Sequence, residues 1–232
     1  MRIFIGYEEA HPEMYEVCKA SIERFNPNHD IQPLIKKDLA DLRIYNRPFE
    51  GESTDFAFTR FLVPYLCNYT GYALFCDGDF LWRSDPQEIT HFKQNKHDVH
   101  VVKHPNLITD QKVKMDGRVN RPYERKYWSS LMYMNCANLT RLDPDSVSQA
   151  PAGDLHGFLW TTKEVGSLPA TFNMLVGYYA LQDPKAVHFT DGGPWLNGYK
   201  DVPYSDEWRA VFALSLIHIS EPTRRTPISY AV

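Results

Sequence analysis

Long hydrophobic runs are missing from this 232-residue chain: no stretch approaches the roughly 20 apolar residues that a membrane-spanning helix needs. The N-terminus, MRIFIGYEEA, carries one basic residue and then an apolar run too short for a signal peptide. These two absences make a cytoplasmic location the default and leave no transmembrane segment. Cysteine is scarce too. The four present, Cys18, Cys67, Cys76 and Cys136, include no C-x-x-C pair, which argues against a zinc or redox motif, and their apolar surroundings predict buried free thiols. Neither sign of charge dominates: Lys and Arg number 25 against 29 Asp and Glu, a formal net charge of -4, so nothing electrostatic favours DNA, RNA or acidic lipid as a partner. Internal repeats and low-complexity tracts are also lacking.

What remains is enough apolar residue, 43% of the chain, to give one domain of this length its own core without disulfides or a structural metal. Aromatic residues are plentiful, which a large core explains first and stacking surfaces for bases and sugar rings second. Residues 2–6, RIFIG, read as a buried strand stopped by Gly6. Met14, Val17, Cys18, Ser21, Ile22 and Phe25 recur at helical spacing and give one packing face, closed by Asn26-Pro27-Asn28. IQPLIKK reads as a second strand, with Pro33 favouring an edge position or a shorter strand. Strand, helix, strand is the opening of an α/β fold with a mainly parallel sheet, helices on both faces, and ligands at the carboxyl ends of the strands.

A second helix is expected from Ser53-Thr54-Asp55, any of which would cap it, with Phe58, Phe61, Leu62, Tyr65 and Leu66 facing inward and Pro64 kinking or shortening it. YALFC, residues 72–76, reads as a central strand, and Val99 to Lys103 and Ser129 to Cys136 as further strands. Pro105 to Arg125 is polar and turn-rich and reads as a surface excursion.

Chemistry concentrates at Asp77-Gly78-Asp79, directly after the YALFC run. Two carboxylates one residue apart point to opposite faces of an extended strand, so joint use of one metal requires a turn, which Gly78 permits. Hard oxygen ligands of this kind suit Mn2+ or Mg2+, and such an ion would also coordinate a diphosphate. The bland alternative is a solvated turn; the strand-end context in an apolar surrounding favours the functional one.

The block FTRFLVPYLCNYTGYALFCDGDFLW resembles the DxD region of GT-A glycosyltransferases, particularly the retaining family 8 that includes glycogenin and bacterial lipopolysaccharide galactosyltransferases. The resemblance implies a Rossmann-like GT-A fold and transfer of a sugar from a nucleotide-diphosphate donor, with UDP the family's usual nucleotide, to a hydroxyl acceptor. It implies donor contacts from Gly6, Tyr7 and Glu8, with Tyr7 and Glu8 at the base and ribose. It implies Arg60, in Thr59-Arg60-Phe61, beside the acidic pair as a catalytic and donor-binding cation, and His188, in VHFTDGGPW, as third metal ligand with Asp77 and Asp79. Gly78, Gly192, Gly193 and Trp195 join the donor-contacting set. Asn173 is grouped with them, an acceptor-side contact and a turn cap being its alternatives. Asp154, in GDLHGFLW, matches by order an acidic residue near the anomeric centre. Each has a bland counterpart: Arg60 covering an apolar helix face, His188 an ordinary core histidine, Gly192-Gly193-Pro194 a tight turn. The family's closing His-x-x-Gly-x-x-Lys-Pro-Trp lacks a counterpart here for its Lys, which Lys200 replaces only if its loop folds back. An inverting relative, a phosphatase of the haloacid dehalogenase type using Asp77 and Asp79, and a non-catalytic nucleotide-sugar-binding module are the competing readings.

Residues 214–232, LSLIHISEPTRRTPISYAV, continue neither a helical nor a strand period. They resemble the conceptual translation of a transposase-derived sequencing adapter and are set aside as a non-native tail, leaving 1–213 as a single catalytic domain. A native segment beyond 213, including one that docks on a membrane surface, would then be absent, so peripheral membrane contact stays open.

Overall fold

The computed structural model describes residues 1–105 and 125–220. The expected surface excursion falls almost wholly on 106–124, outside the described residues, as do residues 221–232 of the tail. The main sheet has six strands: β1 (Arg2–Gly6), β2 (Asp30–Leu34), β3 (Tyr72–Cys76), β5 (Val99–Val102), β6 (Leu131–Asn135) and β7 (Gly166–Leu168), in the order β2-β1-β3-β6-β5-β7. β1 is parallel to β2 and β3, β5 is parallel to β7, and β6 runs antiparallel to both β3 and β5. Five strands therefore share one direction and β6 alone is reversed, as expected of a mainly parallel α/β sheet. β2 is an edge strand, which accommodates Pro33, and it is shorter than IQPLIKK because Lys36 already begins helix α2 (Lys36–Asp41).

Alternation along the strands divides the core between two faces. Phe4, Phe75, Met132 and Met134 pack with Phe56, Phe61, Leu62 and the segment around Leu155 and Phe158. Ile3, Ile5, Leu74 and Leu131 pack on the other face with Tyr15, Cys18 and Ile22 of helix α1 (Pro12–Glu23). Pro12 and Glu13 suit the first turn of α1, where a missing N–H costs nothing and an acidic side chain complements the helix dipole. Phe25 departs from the expected face: the helix ends at Glu23, and Phe25, two residues on, is exposed. All four cysteines are buried free thiols, as expected.

The anticipated helix from Ser53 is not continuous. Residues Thr59–Leu62 form a 3-10 turn, followed by the four-residue helix α3 (Val63–Leu66), which Pro64 helps to start rather than kink. Asp55 does not cap it; its carboxylate accepts from the Glu9 amide and its own amide donates to Glu8 Oε2 at 3.0 Å, tying this segment to the β1 loop. A second sheet, unforeseen, joins β4 (Phe80–Trp82), β8 (Met174–Leu175) and β9 (Ala186–His188) in the order β4-β9-β8. Helices α4 (Pro144–Gln149) and α5 (Ala152–His156) lie between β6 and β7. Helix α6 (Ser205–Ser220) brings Trp208 and Val211 against Val17 of α1 and Val187 of β9. It runs past Ala213 without a break, so a helical backbone does continue into residues 214–220, with Leu214 and Leu216 exposed. Among the described residues no helix is long and apolar enough to cross a membrane.

Candidate metal centre

Asp77 and Asp79 stand where the two sheets meet. Asp77 follows β3, and its amide donates to Ser130 O at 3.0 Å, just ahead of β6; Asp79 precedes β4, and its carbonyl accepts from the Phe189 amide at 3.0 Å, just after β9. Residues 78 and 79 form a turn, so both carboxylates reach the same side as expected. The reason for glycine differs from the expected one. Gly78 does not need a positive φ; a Cβ there would lie 2.4 Å from the Gly6 carbonyl oxygen, so it is the close approach of β1 that excludes a side chain.

His188 ends β9 opposite Phe80, whose ring stacks on the imidazole with centroids 4.6 Å apart. One ligand atom from each of Asp77, Asp79 and His188 lies within 4.8 Å of the others, and all three side chains are buried. His188 Nε2 is 3.2 Å from Asp79 Oδ1 and 3.9 Å from Asp77 Oδ2. Arg60 completes the group, its Nη1 2.8 Å from Asp77 Oδ1. The guanidinium is held in place by donating to Phe56 O and Ser129 O, with the Phe56 and Phe75 ring centroids 5.3 and 5.0 Å from its carbon.

Hydrogen bonding fixes which nitrogen of His188 carries its proton. Ser130 Oγ donates to Tyr127 O at 2.6 Å, so it accepts from Asn173 Nδ2 at 2.9 Å. Asn173 Oδ1 is thereby turned to His188 Nδ1 at 3.0 Å, which donates to it. The Nε2 lone pair is left facing two carboxylates, and Nε2 makes no hydrogen bond among the described residues. Two arrangements satisfy that geometry: a second proton on Nε2 donated to Asp79 Oδ1, or a cation held between the imidazole lone pair and the carboxylates. Arg60 offsets one of the two carboxylate charges and leaves one. Two carboxylates and an imidazole nitrogen with this residual charge are compatible with a divalent ion of the Mn2+ or Mg2+ kind, which would take the Nε2 lone pair of a neutral imidazole.

The remaining expected residues are distributed more widely. Gly6 ends β1 against Gly78. Tyr7 lines a cavity of about 560 Å3 together with Ile35, Lys36, Tyr45, Arg47 and Asp55. Glu8 is buried and accepts from the Asp55 amide, so its carboxylate holds the loop beneath that cavity. Asn173 has no exposed surface and stands behind His188, and a direct donor contact is replaced by this supporting place. Gly192, at φ +133, gives its amide to Phe189 O at 2.8 Å, and that N–H is therefore already used within the chain rather than presented to phosphate. Gly193 leaves room for the Trp195 ring, which a Cβ would meet at 2.1 Å; Trp195 itself packs with Phe189 and Trp208. Asp154, in α5, is exposed, and among the described residues nothing joins it to the acidic pair.

Ser130, Tyr127, Phe80 and Tyr45 were not singled out from the sequence. Phe80 alone had a signal there, as the residue directly after the DxD segment. His156 adds a neutral neighbour: its Nδ1 is 2.9 Å from Ser129 Oγ, and burial, followed by the Arg60 and Arg47 charges, lowers its pKa to about 3.

No family model matches the chain. Protein CDI of Arabidopsis thaliana is 38% identical over 218 residues, covering 89% of this chain and 84% of that protein. Among solved structures, the apo bifunctional glycosyltransferase WbbM superposes with a TM-score of 0.60 at 16% identity over 92% of this chain, which spans about half (49%) of WbbM's length. The galactosyltransferase LgtC, in complex with donor and acceptor sugar analogs, gives 0.58 at 11% identity, covering 92% of this chain and 96% of LgtC. At such identities the likeness defines the fold, which is GT-A.

Proposed function

This chain belongs to the family of Protein CDI of Arabidopsis thaliana, and from that premise we propose that it is a metal-dependent glycosyltransferase moving a sugar from a nucleotide-diphosphate donor, in the first instance a UDP-sugar, to a hydroxyl acceptor. The observation that carries the reading is the buried Asp77, Asp79 and His188 group, whose imidazole lone pair faces the carboxylates at the carboxyl end of β3. A divalent cation held by these three residues would neutralise the donor diphosphate and the charge that builds on it as it departs.

The chain's own residues bind and orient. Arg60 acts through Asp77: it fixes the carboxylate and prevents its charge from standing alone in the core, so direct contact with the leaving group is not its favoured role. The cavity beside Tyr7 is within the size range of small-molecule sites and suits a nucleoside, with the Tyr7 and Tyr45 rings as apolar wall; its Lys36 and Arg47 are already paired with Glu52 and Glu50. Tyr7 directly follows Gly6, whose carbonyl oxygen lies against Gly78, and a donor with its nucleoside in the cavity would extend along this segment toward the acidic pair. In a retaining transfer the acceptor hydroxyl would attack on the face that the diphosphate leaves and pass its proton to that diphosphate, so the chain would need to supply no separate base. Asp154 is assigned no part in the donor step; its exposure suits an acceptor-side contact. A haloacid-dehalogenase-type phosphatase is not favoured, because it gives no account of His188 facing the carboxylates.

Calorimetric titration of UDP- and GDP-sugars with and without Mn2+ tests the reading. Binding is expected only with Mn2+, and Asp79→Ala removes it. Binding that is equally strong in EDTA and in the variant would contradict a metal-bridged donor.

A further inference from the structure

Asn173 is wholly buried and held by four hydrogen bonds, one of them from its own backbone amide to Ala170 O at 3.1 Å. Nδ2 donates to Ser130 Oγ, Oδ1 accepts from His188 Nδ1, and the backbone carbonyl accepts from the Tyr179 hydroxyl at 3.2 Å. The amide has one satisfactory orientation. Because the Ser130 hydroxyl proton goes to Tyr127 O, Ser130 offers Asn173 only lone pairs, and the amide must turn its NH2 that way. Tyr127 is held at φ +68, in the left-handed region that bulky residues rarely occupy, and the 3-10 turn Trp128–Ser130 begins directly after it. The acceptor for the Ser130 proton is thus set by backbone geometry, and the stack on Phe80 sets the plane of the His188 ring.

We propose that Asn173 is a positioning residue that selects the His188 tautomer able to ligate a divalent cation, with Ser130 setting the orientation of the Asn173 amide. The inference rests on the metal-site reading above. A reversed amide would present NH2 to Nδ1, drive the imidazole proton to Nε2, and put an N–H where a ligand lone pair is required. Asn173 therefore serves the acidic pair from behind the histidine.

The test uses the full chain and two readouts: Mn2+ affinity, from the electron paramagnetic resonance signal of free Mn2+, and the imidazole 15N shifts of His188 in Mn2+-free protein. Wild type is expected to show a protonated Nδ1. Asn173→Leu is expected to lose roughly 10- to 100-fold in Mn2+ affinity, the range usual for partners behind a metal ligand, and to lose the single tautomer. Asn173→Asp still accepts from Nδ1–H and should stay within about threefold of wild type, which a merely space-filling role for Asn173 does not predict. Ser130→Ala frees the amide to reverse and should give the same changes in smaller measure, so it decides the matter if Asn173→Leu fails to fold. Unchanged affinity and tautomer in Asn173→Leu, or in Ser130→Ala where the former is unfolded, would overturn the proposal, as would a wild-type His188 protonated on Nε2. Wild type with Nδ1–H but no affinity for Mn2+ would overturn the metal reading instead, and leave the tautomer selection supported.

Discussion

Gly78 shows how a residue with no side chain can be decisive. The Gly6 carbonyl oxygen occupies the space where a Cβ would stand, at 2.4 Å, and both partners are backbone. Gly78→Ala is therefore expected to lower stability by about 1–3 kcal/mol, the usual cost of overpacking, and to displace Asp77 and Asp79 from their common focus. Urea unfolding and Mn2+ affinity measured side by side would check this; a variant as stable and as metal-competent as wild type would show that β1 can yield. The sequence marked Gly78 as important because two carboxylates one apart need a turn between them, and it marked His188 through the order of blocks along the chain. It could not show the close approach of Gly6, which comes from the pairing of β1 with β3. For Asn173 the turn-cap alternative holds in the backbone, which closes the 3-10 turn Ala170–Phe172, but the place of its side chain was not readable. A buried amide behind a histidine and an amide lining a donor site look the same in ATFNML, and only the fold separates them.

Elements were legible in proportion to their length and apolar content. β1, β3, β5 and β6 are four- or five-residue runs that the hydrophobic pattern located to within a residue or two. β4, β8 and β9 are two or three residues long, below any readable alternation, yet this small sheet is what carries His188 to the acidic pair. Reversal of β6 was equally hidden, since an apolar run has no direction. The segment ahead of β3 keeps its predicted inward face but not its helix, because Glu8 and Asp55 hold its start against the β1 loop. α5 carries a pH consequence. His156 at its end packs against Phe58 and Phe61 and is neutral, with a pKa of about 3 in the folded chain against an ordinary value of 6.5. A depressed histidine pKa means that the unfolded chain binds the proton first, so this contribution is complete above pH 6.5 and declines as pH falls toward 3. Between pH 7 and pH 5 the loss from this group is about 2 kcal/mol, and His156→Gln should remove that share of the slope in urea midpoints. A variant with an undiminished slope would place the titrating group elsewhere.

At the scale of the whole molecule, two sheets and their helices converge on one cluster at the carboxyl end of β3. One face of the main sheet supplies Arg60 from the segment before α3; the link between β3 and β4 supplies the carboxylates; β9 supplies the imidazole. A mainly parallel α/β fold could be inferred from the strand-helix-strand opening, the GT-A architecture came from the resemblance of the block around the acidic pair, and the superposed glycosyltransferase folds agree with it. Donor, acceptor and stereochemistry belong to side chains lining cavities, which neither spacing nor fold specifies. The most direct test of the central claim is nucleotide release from a panel of UDP-, GDP- and CMP-sugars with Mn2+, comparing the full chain, the same chain in EDTA, and Asp79→Ala. Mn2+-dependent release from one donor, reduced at least about a thousandfold (some 4 kcal/mol of transition-state stabilisation) by the substitution, is the predicted result. Release that persists in EDTA and in Asp79→Ala, or no release from any donor by protein that binds Mn2+, would contradict it.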